Sequence, residues 1–247
     1  LVYIEKKNLS PSFRSQLIHL AAFQNPEFYK ARAMRLSTYG KPRVISCAED
    51  FPKHIGLPRG CLEEILEMCD SLGIKTSIKD ERNPGTCIDV SFNAHLRPEQ
   101  EEATNALLEF DTGVLAAATA FGKTVVAAKL IAERGVNTLV LVHRRQLFDQ
   151  WSARLSEFLD LKPDQIGMIG AGKHRPSGKI DIALIQSLWK KGKVDEVIGN
   201  YGHIVVDECH HISANSFEKV VDLVWLEFRR WSAVCCPFRF RHDVLDA

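Results

Sequence analysis

Hydrophobic positions follow two regimes along the chain, and the change comes near residue 96. Before it the apolar runs are short and mixed in period. Phe13, Leu17, Ile18 and Leu20 recur at helical spacing behind Ser10-Pro11, which predicts a helix within 8–22, and Pro26 opens a second over 27–36 that closes near Gly40-Lys41-Pro42. Residues 43–47 read as a strand and 58–72 as an amphipathic helix stopped by Gly73. Residues 74–78 and 87–92 read as two further strands turned by Asn83-Pro84-Gly85. Together these make a small α+β domain over 1–95.

Beyond residue 96 longer elements alternate. A helix within 96–110 carries Ala103, Leu107 and Leu108 on one face and breaks at Asp111-Thr112-Gly113. A short apolar strand over 114–118 leads to a helix over 123–134, with Val125, Val126, Leu130 and Ile131 at helical spacing and Gly135 as the stop. Thr138-Leu139-Val140-Leu141-Val142 and His203-Ile204-Val205-Val206 are unbroken apolar runs of the kind found in strands buried on both faces. Between them fall a helix over 144–159 and strands over 166–169 and 180–185, the last two separated by a polar loop. Strand and helix in alternation imply right-handed crossovers, hence an α/β fold with a parallel sheet and helices on both faces over 96–224. The tail, 225–247, shows neither an expected strand nor a motif.

Composition narrows the picture only a little. The 247 residues are 45% hydrophobic and 26% charged, ordinary for a globular protein, and no apolar run approaches a membrane span. The seven cysteines (Cys47, Cys61, Cys69, Cys87, Cys209, Cys235 and Cys236) include no C-x-x-C pair, so neither a disulfide framework nor a zinc ribbon is indicated. A soluble cytoplasmic protein with reduced thiols is the expectation, and a first residue other than Met suggests a fragment. A net charge of +1 leaves any nucleic-acid contact to local patches.

The chemistry concentrates in two places. Ala117-Ala118-Thr119-Ala120-Phe121-Gly122-Lys123-Thr124 lies between a strand and a helix and ends in Gly-Lys-Thr, matching a phosphate-binding loop except that Ala117 stands where glycine is usual. A helix N-terminus offers unpaired N–H groups to an anion, Lys123 reaches the β and γ phosphates, and the Thr124 hydroxyl can hold Mg²⁺. Asp207-Glu208-Cys209-His210 follow a buried strand, at the carboxyl edge where such sheets bind ligands. Asp207 there assists the metal through water, and Glu208 is the natural base for an attacking water. Cys209, His210 and His211 are metal-ligand types, but three adjacent residues cannot all face one ion. Arg144-Arg145, after the next strand, suit phosphate oxygens or simply solvent. Residues 28–43 hold five basic side chains (Lys30, Arg32, Arg35, Lys41, Arg43), no acidic one, and Tyr29 and Tyr39. That mixture fits either a nucleic-acid backbone with stacking or a solvated helix face.

With both motifs in hand, the chain resembles the superfamily 2 DExH-box helicases and translocases, in the XPB-like and type III restriction (ResIII) group that includes helicases associated with TOTE conflict systems. The resemblance implies a RecA-like lobe. It implies that Arg97 and Gln100 form the adenine-reading motif, that 117–124 is motif I, and that His143-Arg144-Arg145 touch the phosphates of the tracked strand. Gln186-Ser187 match a further nucleic-acid segment, and Asp207 to His210 match motif II, with His210 linking the ATP site to the nucleic-acid side. Ala120-Phe121 depart from the usual small residues of the loop. Motif III finds only a weak echo at Ser232-Ala233-Val234. The expectation is therefore an N-terminal fragment of a DNA- or RNA-dependent ATPase using ATP and Mg²⁺, its second RecA-like lobe missing and its turnover slow. Loss of an arginine finger costs about three to five orders of magnitude. Two alternatives stay open: another phosphate-loop NTPase that needs neither Gln100 nor Arg144-Arg145, and an inactive nucleic-acid-binding remnant.

Overall fold

Ser10-Pro11 and Asn25-Pro26 each pair a capping side chain with a residue lacking the N–H that a first helical turn leaves unpaired. Both start helices in the computed structural model, which describes residues 1–7, 9–80, 83–118, 120–190, 193–209 and 230–235. Ser10 Oγ accepts from the Phe13 N–H at 3.2 Å and opens α1 (Pro11–Leu20). Asn25 Oδ1 accepts from the Glu27 N–H at 3.0 Å and opens α2 (Pro26–Ala33). Two small antiparallel sheets accompany them. One joins β1 (Val2–Glu5), β4 (Glu49–Asp50) and β5 (His54–Leu57) in the order β1-β5-β4, and the other pairs β2 (Ala22–Gln24) with β3 (Val44–Ser46). A helix α3 (Leu62–Ser71) lays Ile65 and Cys69, four apart, on Phe13, Leu17, Ile55 and Leu57. These elements make one compact unit, Leu1–Asp80, and Glu81–Ala247 make the second.

The boundary corrects the sequence reading, which placed it after residue 95 and paired 74–78 with 87–92 in the first domain. Neither strand forms. Residues 74–80 carry no regular structure, while 83–93 run along the second unit. Ile88, Val90 and Phe92, alternate residues, pack on its core. The alternation did mark an extended segment, but its backbone meets isolated partners instead of a ladder. The Ile88 N–H reaches the Gly135 carbonyl at 2.9 Å, the Asn93 N–H reaches Phe158 at 2.7 Å, and Cys87 bridges Val136.

In the second unit α4 (Pro98–Leu108) precedes a seven-stranded sheet. Its strands are β6 (Thr112–Ala116), β7 (Thr138–Val142), β8 (Ile166–Gly170), β9 (Lys173–Arg175), β10 (Ile180–Leu184), β13 (His203–Asp207) and β14 (Arg230–Cys235), and two-residue β11 (Trp189–Lys190) and β12 (Lys193–Val194) pair separately. The order is β6-β14-β13-β7-β10-β8-β9, parallel throughout except for β9 on β8. Helices α5 (Lys123–Arg134) and α6 (Arg145–Phe158) cover one face through Ile131, Phe148 and Leu155, against Val140, Val142, Ile182 and Val205. The intervening residues Leu139, Leu141, Ala183, Ile204 and Val206 face the other way. There they meet Leu188 of α7 (Ile185–Leu188), Ile198 and Tyr201. The expected α/β class with two covered faces is what forms. Among the described residues no helix is long and apolar enough to cross a membrane.

Strand β14 is the second correction. The tail was expected to hold no strand, yet 230–235 lie between β6 and β13, with Val234 opposite Asp207 and Cys235 opposite Ala116. Trp231-Ser232-Ala233-Val234-Cys235 is a short uncharged run, which suits a strand paired on both edges; as motif chemistry it offered little to recognise.

The amino ends of the strands are closed by Asn137, which is 2% exposed. Its Oδ1 accepts from the Thr86 and Gly202 N–H groups at 2.9 and 3.0 Å, and its Nδ2 donates to the Gly178 and Asn200 carbonyls at 3.2 and 2.8 Å. Asn137→Ala removes the side-chain partner of two N–H groups, the buried Gly202 N–H among them, and of two carbonyls. It should lower the unfolding free energy by about 2–4 kcal/mol in urea titration.

Candidate functional site

Gly122 caps α5 in the left-handed region, at φ +86°. A side chain there would be strained, and a Cβ would lie 2.5 Å from Gln100 Nε2. The loop is held from outside by α4. Gln100, 4% exposed, accepts from the Arg97 N–H on Oε1 at 2.9 Å and donates from Nε2 to the Phe121 carbonyl at 2.6 Å. The first bond caps α4 and the second ties that cap to the loop. Arg97 adds a guanidinium N–H to the same carbonyl at 2.5 Å, its charge standing 5.9 Å over the Phe121 ring. The structure therefore brings Arg97 and Gln100 onto the loop as its clamps. Lys123 Nζ donates to the Ala117 and Ala118 carbonyls at 3.2 and 3.4 Å, so the amine lies along the inside of the loop. Ala120 also takes positive φ, +67°, and Thr124 sits half-buried in the first turn of α5. Thr119 lies outside the described residues.

Asp207 ends β13 and is 6% exposed. Burial pushes its carboxyl above the usual carboxylate range; the Trp151 indole N–H, 2.7 Å from Oδ2, pulls it back, the neighbouring Glu208 charge pushes up, and the Lys123 ammonium pulls down. Lys123 acts on Asp207 because the loop after β6 and the end of β13 share the carboxyl edge of the sheet, with only β14 between them. Glu208 is half-buried and held at φ +53°, a costly conformation for a side-chain-bearing residue and one that clusters at functional sites. Cys209 packs on the core cluster of Leu139 and Leu141. His210 lies outside the described residues.

The residues assigned to nucleic acid follow the next two strands along the same edge, β7 and β10. Gln186 Nε2 donates to the His143 carbonyl at 2.8 Å, joining the ends of the paired strands β7 and β10. Arg144, extended at φ −128°, caps α6 and Arg145 begins it, both exposed. Ser187 stands beside Gly170 at the end of β8, where a Cβ would come 2.8 Å from its Oγ. Sequence reasoning missed Trp151. The only signal was general: a buried indole N–H needs an acceptor.

A lysine-bearing loop at a helix start and a buried carboxylate ending a parallel strand of the same sheet fit a RecA-like lobe of the superfamily 2 class. The chain belongs to the family described as type III restriction enzyme, res subunit (ResIII), which matches residues 93–229. It is 31% identical over 135 residues to the DNA 3'-5' translocase XPB2 of Sulfurisphaera tokodaii, covering 54% of this chain and 29% of that one. A putative DNA 3'-5' helicase Rad25 of Haloarcula marismortui is 26% identical over 228 residues, 83% of this chain and 36% of the relative. The chain thus spans about a third of the length of these relatives. In fold it is similar to the UvsW helicase of bacteriophage T4, with a TM-score of 0.60 at 18% identity, covering 92% of this chain and 86% of that one.

A carboxyl raised from the ordinary 3.8 holds its proton in the folded chain after the unfolded chain has lost it. Stability therefore falls as pH rises through that window and stays lower at neutrality. Asp207→Asn should unfold at higher denaturant concentration than wild type at pH 7, and the gain should vanish below about pH 4. Chemical denaturation at both pH values checks this.

Proposed function

We propose that this lobe binds Mg·ATP and drives a nucleic-acid helicase or translocase, working in the cytoplasm on DNA or RNA. The observation that carries the reading is the placement of the lysine loop after β6 and of the buried Asp207 carboxylate ending β13 at the carboxyl edge of one parallel sheet, one strand apart. Lys123 moves from the loop carbonyls it now contacts to the β and γ phosphates, while N–H groups at the start of α5 take the remaining phosphate oxygens. A hydroxyl and a carboxylate make a hard oxygen donor set that suits Mg²⁺, an ion that keeps most of its waters. Thr124 and Asp207 are the residues that would hold it. Held there, the metal would supply charge neutralisation at the phosphate. Glu208 orients the attacking water and takes its proton. Gln100, already fixed by Arg97 and Phe121, carries adenine recognition from the same rigid position. Turnover calls for the motor's second RecA-like lobe and its arginine, and His210 relays between the ATP and nucleic-acid sides.

Arg144 and Arg145, with His143, Gln186 and Ser187, supply strand contacts that position without reading sequence. In the first unit Lys30, Arg32, Arg35 and Arg43 are exposed, and Tyr39 is 96% exposed, a second surface for phosphates and stacked bases.

Lys123→Ala should weaken Mg·ATP binding at least tenfold in equilibrium titration. Wild-type protein without Mg·ATP affinity would remove the reading. Arg144→Ala with Arg145→Ala should flatten the salt dependence of single-stranded DNA binding by about one to two in log–log slope. An unchanged slope would take α6 out of the nucleic-acid site, and a salt-insensitive wild type would favour a phosphate-loop NTPase that binds no nucleic acid.

A further inference from the structure

The indole of Trp151 is 3% exposed, and its N–H donates to Asp207 Oδ2 at 2.7 Å. A tryptophan needed only for packing brings apolar area. This one spends its single polar atom on the carboxylate that the nucleotide reading assigns to the metal. Trp151 shares its buried face with Phe148 and Leu155, so α6 holds the indole rigidly against the core. The same helix starts at Arg145, six residues earlier, or about 9 Å along the axis at the α-helical rise. One stiff element thus has phosphate-contact candidates at its first turn and a hydrogen bond to Asp207 two turns on.

We propose that Trp151 is a positioning residue that fixes the carboxylate of Asp207 for the metal, and that α6 couples strand contact at Arg144-Arg145 to that carboxylate. The inference rests on the reading of Lys123, Thr124 and Asp207 as a Mg·nucleotide site. A partner that orients a metal ligand typically contributes about 10- to 100-fold in metal affinity. Coupling through α6 requires that a strand bound at its start and the metal near its middle each alter the other's affinity.

Trp151→Phe keeps an aromatic ring but removes the N–H together with the pyrrole half of the indole, so the metal-free arm reports the packing change and the Mg²⁺ arm the hydrogen bond. The probe is N-methylanthraniloyl-ADP, titrated into the 247-residue chain in excess EDTA and then across a Mg²⁺ series, with and without a single-stranded oligonucleotide. The expected result is an EDTA affinity within about twofold of wild type and a Mg²⁺ midpoint raised about tenfold. The oligonucleotide should move the midpoint in wild type and leave it in place in W151F. An unchanged Mg²⁺ midpoint overturns the positioning role, as does an equal loss of affinity with and without metal. An oligonucleotide shift of the same size in both proteins overturns the coupling. A wild type that binds no nucleotide sinks the site reading and this inference together, whereas normal wild-type binding with an unaltered variant sinks this inference alone. Should W151F fail to fold, the wild-type ¹⁵N-indole resonance of Trp151 gives the answer: Mg²⁺ added to the ADP-bound chain should move it, and a stationary resonance overturns the proposal.

Discussion

Every residue of β7, β10 and β13 is buried, because helices or irregular segments cover both faces of the sheet there. A polar side chain inside such a layer is costly unless its hydrogen bonds are met. Chemistry is thereby driven to the strand ends, and the two ends of this sheet are used differently. Asn137 and residues 83–93 close the amino ends with backbone bonds, leaving the carboxyl ends to carry the phosphate loop, Asp207-Glu208 and Arg144-Arg145.

Two buried aspartates show the difference. Asp181, early in β10, takes the Ser177 N–H at 2.8 Å, the Gly178 N–H at 2.9 Å, and the hydroxyls of Ser177 and Tyr201. Burial and that carboxylate push the Tyr201 hydroxyl well up, so it stays protonated and donates. With four donors satisfied it is a structural knot that anchors the turn before β10. Asp207 is almost as deeply buried, and burial outweighs its Trp151 bond and the Lys123 charge, so its carboxyl is held uncomfortably. A buried carboxyl held in that state at a strand end marks a candidate site by its environment alone.

What the sequence made legible follows from where local pattern and tertiary environment agree. Thr138–Val142 and His203–Asp207 are apolar because both faces are covered, and Lys123–Arg134 starts and stops on glycines whose positive φ few other residues tolerate. The phosphate loop and the acid pair were readable as motifs, and parallel topology brought them together. Trp151 and Asp207 were harder, since nothing local in a helix names the acceptor of an indole 56 residues away. The 83–93 segment showed its alternation but not its partner. Strand β14 was lost for another reason. Its residues were judged as motif chemistry, whereas what the sheet takes from them is backbone pairing between β6 and β13.

That insertion of β14 has a consequence for how the chain comes off the ribosome. Among the described residues β6 pairs only with β14, whose first residue, Arg230, emerges 118 positions after Thr112 (230 − 112). Until then the strand that leads into the phosphate loop has no ladder partner, whereas β7, β8, β10 and β13 can already assemble. Such late, long-range closure is slow and exposes an unpaired edge meanwhile. Until residue 230 has emerged, β6 and the loop after it are held only by side-chain packing and by the Arg97 and Gln100 bonds from α4, and the strand gains its backbone ladder afterwards.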